Sequence, residues 1–168
     1  MREFDKNGLL VATFQAKLFE ESISKTNYSS PIFLRCFKYA EVTKELDNKH
    51  PSLLDLNRHL FFERIEEEFG ESDYGEEKYD VATMYWLGYI YRYICYTRQC
   101  STKFIFNLIP PSELKDHYYV YHTQSEEWVI NRILEIKGLT EDVFDKNERM
   151  KKLLKEQYQS ELVNYPHL

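Results

Sequence analysis

The 168 residues carry 22 Lys and Arg against 28 Asp and Glu, a net charge of −6, and 43% of them are hydrophobic. A chain of this length can bury a core without disulfide or metal staples. Its acidic balance counts against direct nucleic-acid binding and against anionic membranes, since both favour a basic face.

The first stretch, MREFDKNGLL, lacks the long apolar region of a secretory signal. Residues 9–25 read as a helix with Leu10, Phe14 and Leu18 on one stripe and Val11 beside it. Ser30-Pro31 is a helix-start signal, a capping residue followed by proline in the first turn. Yet Ile32, Leu34 and Cys36 alternate with Phe33, Arg35 and Phe37, so a short strand at 32–37 stays open. A second helix covers 40–46, and Lys49-His50-Pro51-Ser52 reads as a turn.

The next helix lies within 53–69. Leu56, Leu60, Phe61, Ile65 and Phe69 face inward, and Gly70 stops it. A polar loop, ESDYGEEKY, leads into 80–99, DVATMYWLGYIYRYICYTRQ. Asp80 can cap that helix by accepting a first-turn N–H. Trp86, Tyr89, Ile90, Tyr93 and Thr97 form one stripe, and Leu87, Tyr91, Ile94 and Arg98 another. A helix so apolar on most sides belongs among neighbours, so this is the expected central helix, with Trp86 in its core contact.

Beyond it come a Ser101-capped helix at 102–109, a short turn of helix from Ser112 to His117, and a segment 118–123 that fits either state. A Ser125-capped helix at 126–137 has Trp128, Ile130, Ile133 and Leu134 inward. The last helix begins at Thr140, its acids early and lysines late as the helix dipole favours, with Val143, Leu153, Leu154 and Tyr158 as sparse anchors. The whole implies a mainly α single domain of six or seven helices around one buried helix. Its expected division is a helical core over 1–138 and a C-terminal helical extension over 139–168.

The sequence offers no recognisable chemistry. No His pair has the i, i+4 spacing of a zinc helix, no glycine-rich phosphate loop exists, and no nucleophile elbow appears. Cys36, Cys95 and Cys100 form an odd set without framework spacing, as in reduced cytosolic proteins. The longest uncharged run, 81–91, is too short to span a bilayer. The expectation is a cytoplasmic protein that is not an enzyme, with no catalytic residues, cofactor, metal or membrane partner.

The strongest surface feature is acidic. Residues 63–80 hold nine acids against Arg64 and Lys78, a net charge of −7. Within this window Glu67, Glu71, Asp73, Glu76 and Glu77 are candidate contacts for a basic protein, with Tyr74 and Tyr79 as aromatic anchors. The competing reading is a solubilising face with a mobile loop.

The runs MYWLGYIYRYICYT and CSTKFIFNLIPPSELKDHYYVYHTQSEEWVINRILEIKG carry a resemblance. They resemble small antitoxin-like or accessory proteins of Firmicute mobile elements, with their MYW-GYIYRYW pattern, and a related small domain of unknown function found near ADP-ribosyltransferase-like toxin genes. The matching positions are Tyr85, Trp86, Gly88, Tyr89, Tyr91, Arg92, Tyr93, Glu113, Leu114, Tyr118, Tyr119, Tyr121 and His122. The resemblance implies a protein-binding module that neutralises a toxin or nuclease by occluding its functional surface. Tyr118, Tyr119 and His122 join the candidate contacts. The tail 139–168 departs from the pattern. Two other readings are a DNA-associated regulator, with a helix-turn-helix hidden near 40–47 or 102–107, and a mobile-element inhibitor of a bacterial defence nuclease.

Overall fold

A computed structural model describes residues 1–48 and 57–164, with side chains as far as 156. Ten helices and no strand form among them. They fall into two compact units, Met1–Ile130 and Asn131–Leu168.

The first unit is built on two long helices, α1 (Lys6–Lys25) and α5 (Val81–Arg98). Asp5 and Asp80 cap them by accepting the Gly8 and Thr83 amides at 2.9 and 2.8 Å. Close contact between the pair needs small residues. Ala12 and Ala16 of α1 are fully buried, and Gly88 of α5 lies directly against α1. A Cβ on Gly88 would sit 2.6 Å from the Gln15 carbonyl oxygen and 2.8 Å from the Ala16 Cα. Backbone atoms of a packed helix cannot easily move aside, so the missing side chain sets the approach.

Around this pair lie α2 (Ser30–Tyr39), α3 (Glu41–Asp47), α4 (Arg58–Phe69) and α6 (Thr102–Leu108). Aromatic edges join them. Phe19 of α1 meets Phe33 and Phe37 of α2 at ring separations of 5.4 and 4.8 Å. Phe14 meets Phe61 of α4 at 5.0 Å, and Tyr91 of α5 meets Phe106 of α6 at 4.3 Å. Each such pair adds about 0.5–1.5 kcal/mol beyond simple burial. The central helix is thus where the sequence places it, and its most enclosed large side chain is Tyr91, whose hydroxyl donates to the Ile109 carbonyl at 2.6 Å.

Short helices α7 (Pro111–Asp116) and α8 (Tyr118–Tyr121) follow, then α9 (Glu126–Ile136), whose first residues belong to this unit. Buried Arg98 of α5 makes a two-pronged pair with Glu127 at 2.7 and 2.6 Å, and Tyr93 donates to the same carboxylate at 2.7 Å. In the second unit, α10 (Asp142–Asn164) follows Gly138, which takes a left-handed φ of 64° after α9. Met150, Leu153 and Leu154 are exposed there.

Several expectations need correction. Segment 32–37 is helical, because Ser29 caps α2 and Pro31 fits its first turn. Segment 118–121, whose sequence fits either state, is helical. Trp86 is only half-buried and packs edge-on against Tyr118, 5.6 Å away, so the core centre is Tyr91. Leu10, Leu60, Phe69 and Trp128 are exposed, while Ala12, Phe61, Ile65 and Val129 of the same helices are buried. Leu153 and Leu154 are exposed rather than anchoring. The turn 49–52, Leu53, Leu56 and the Tyr158 side chain lie outside the described residues.

Gly88→Ala separates packing from helix propensity. Alanine gains about 1 kcal/mol of intrinsic helix preference over glycine. Overpacking typically costs about 1–3 kcal/mol, and here the obstacle is backbone. The expected outcome is a lower melting temperature for the variant by calorimetry. An unchanged or raised value would mean that α1 and α5 do not meet at this glycine.

Candidate functional site

The acidic window divides between the exposed side of α4 and the loop 70–80. The loop is a strap tied at four points, three at the start of α2 and one at the end of α1. The Ser29 amide donates to the Tyr74 carbonyl at 3.1 Å and the Ser30 amide to the Glu77 carbonyl at 2.8 Å. These are among the amides that a helix start leaves without internal partners. The Tyr79 amide donates to Ser30 Oγ at 3.0 Å. Lys78 Nζ donates to the carbonyl of Thr26, the residue that closes α1, at 2.9 Å. A cation at a helix C-terminus also meets the negative end of the dipole. Burial holds the Lys78 ammonium below the usual lysine range.

Gly75 makes the strap possible. Its φ is 81°, and a Cβ there would lie 2.8 Å from Ser29 Oγ. The loop backbone is thus hydrogen-bonded to the helix it crosses. Its inner side carries Tyr79, which is buried, with Lys115 Nζ 4.8 Å from its ring centre. Tyr79 is a fixing residue and not an exposed anchor. Burial pushes its hydroxyl above the usual tyrosine range.

The outer side carries the candidates. Tyr74 is 73% exposed, and Glu71, Asp73, Glu76 and Glu77 are exposed beside it. Glu67 is exposed on α4. Three other acids of the window are occupied: Glu68 accepts the Glu41 amide at 2.9 Å, Glu63 pairs with His59 at 3.2 Å, and Asp80 caps α5. Glu77 pairs with Lys115 of α7 at 3.5 Å. Glu67, Glu71, Asp73 and Glu76 have no ion-pair partner among the described residues.

Tyr118, Tyr119 and His122 form a separate aromatic corner on α8. Tyr118 lies between Trp86 and the His122 ring, which stacks on it at 4.6 Å. His122 Nδ1 is 2.8 Å from the Tyr118 carbonyl, which can only accept, so Nδ1 carries the proton. Tyr119 projects at 81% exposure. Burial raises the Tyr118 hydroxyl above its usual range, with the charge of Asp80 adding to the effect.

One surface escaped the sequence reading. A groove of about 540 Å³ runs beside α2 and is lined by Arg35, Lys38, Tyr39, Tyr79 and the prolines around α7. Its lining cations, Arg35 and Lys38, stand one helical turn apart among apolar neighbours, so no charge run announces it. No cluster of three or more His, Cys, Asp or Glu able to hold a metal occurs among the described residues. No described helix is long and apolar enough to cross a membrane. Neither family models, nor curated proteins, nor solved structures give a match to this chain.

Gly75→Ala tests the fastening. A methyl group there strains a left-handed backbone and meets Ser29. The strap amide of Tyr79 and the α2 amides of Ser29 and Ser30 are expected to exchange hydrogen faster, by about tenfold, a local opening cost of about 1.4 kcal/mol. Unchanged exchange at these amides would contradict an anchored strap.

Proposed function

We propose that this protein is a protein-binding module, inhibitor- or antitoxin-like, whose acidic strap meets a basic surface on its partner. The observation that carries the reading is the strap itself. Three backbone attachments and the Lys78 side chain hold it to α2 and α1, while Tyr74 and Glu71, Asp73 and Glu76, without ion-pair partners among the described residues, are exposed. A surface ordered before encounter loses less conformational entropy on binding, and an exposed tyrosine among unpaired charges suits an interface anchor. The sequence resemblance points the same way, toward neutralising a toxin or nuclease by covering its functional surface. Tyr119 and the α8 corner would extend the contact.

The regulator reading has less support. Thr102, the first residue of α6, is fully buried, and its amide and hydroxyl both go to Asp47 at the end of α3. A recognition helix needs those first residues free to reach base edges.

The test is a binding-rate series across salt against the protein that co-purifies with the parent. Charge reversal at Glu67, Glu71 and Glu76 together should slow association about tenfold or more at low salt and flatten its salt dependence. Melting should stay close to the parent, because exposed substitutions cost within about 0.5 kcal/mol each. Equal association rates for parent and triple variant would leave the strap as a solvated face.

A further inference from the structure

The groove beside α2 has the opposite sign to the chain as a whole. Arg35 and Lys38 of α2 line it, and Lys103 of α6 reaches its edge, 5.4 Å from the Tyr39 ring. Lys38 lies 5.0 Å from the same ring. None of these three cations has an ion-pair partner among the described residues. Lys115 stands over Tyr79 at the groove's other side, with Glu77 and Asp116 as its neighbours at 3.5 and 3.8 Å. Between the cations the lining is mixed: Pro31, Leu34, Phe106, Pro110 and Pro111 beside Tyr39 and Tyr79, with Asn107 and Ser112 as polar members. Across Arg35 and Tyr39 a second hollow of about 420 Å³ continues the surface toward Phe69, which is 43% exposed.

We propose that this groove is a docking site for an acidic polypeptide segment carrying an apolar or aromatic side chain. Charge complementarity and shape together favour such a segment. The unpaired cations on α2 and α6 supply attraction for carboxylates, and the proline and aromatic lining supplies a seat for one large side chain. Rings flanked by fixed prolines lose little freedom when covered. A nucleic-acid strand is the poorer fit. It would extend a line of phosphates past a few cations into the acidic strap, whose Glu77 borders the groove through Lys115. The site goes beyond the strap contact proposed above, since it takes a partner segment of the opposite charge.

The probe is a fluorescein-labelled peptide of glutamates with one central phenylalanine, followed by anisotropy with the full chain at low salt. The comparison is single-stranded oligouridine of similar length. The double variant Arg35→Glu/Lys38→Glu should bind the peptide about tenfold more weakly or worse. Lys17→Glu, an exposed cation on α1, should bind like the parent. Reversing Glu67, Glu71 and Glu76 should not weaken peptide binding, which separates this site from the strap. If the double variant melts lower than the parent, Lys103→Glu on α6 should show the same loss without touching α2. Absence of peptide binding by the parent, equal binding by parent and groove variants, or tighter binding of oligouridine than of the peptide would each overturn the proposal.

Discussion

One buried cation holds the first unit together. The Arg92 guanidinium lies in the middle of α5 with 4% of its side chain exposed. Its Nη1 donates to Asp47 at 2.8 Å, its Nε to Gln15 at 2.7 Å and its Nη2 to Thr102 at 3.0 Å. Removing a charge from water costs several kcal/mol, and an ion pair offsets that only when further hydrogen bonds complete it. Here they do. Asp47 also accepts from the Thr102 amide and hydroxyl at 2.8 Å each, and Gln15 donates onward to the Gly88 carbonyl at 3.0 Å. The planar fork of arginine suits such divergent demands, and lysine could not replace it.

The network ties together residues far apart in sequence: 15, 47, 92 and 102, on or bordering α1, α3, α5 and α6. Apolar contacts alone tolerate small slides, whereas three directed bonds do not. Gly88 and Ala16 set how close α1 and α5 come, and Gln15 and Arg92, one residue and one turn away, fix their relative position along the axes. α2 then packs on α1 through its phenylalanines, and the strap is fastened to the first turn of α2. Both proposed surfaces sit on α2 and so depend, through α1, on that buried cluster.

Helix positions were legible because their signals are local. Asp80, Ser101 and Ser125 mark helix starts by capping, and Gly70 and Gly138 mark ends with a positive φ. What the sequence hid is pairwise. Arg92 reads as one more charge among aromatics, and nothing near it points to Asp47 or Gln15. Segment 32–37 alternates like a strand, yet a capped α2 buries Phe33, Leu34 and Phe37 at helical spacing. The acidic window was visible as composition, but its anchorage was not, because Ser29, Ser30 and Thr26 lie some fifty residues away. The cationic groove was invisible for the same reason, its residues coming from α2 and α6.

Arg92 and its partners act as one unit. Urea unfolding of Arg92→Met, Asp47→Leu and the combined variant measures this directly. Each single change strands a buried polar partner and should cost about 3–5 kcal/mol, while the pair removed together should cost clearly less than the sum. Strict additivity, or single variants within about 0.5 kcal/mol of the parent, the range of ordinary surface substitutions, would contradict the account.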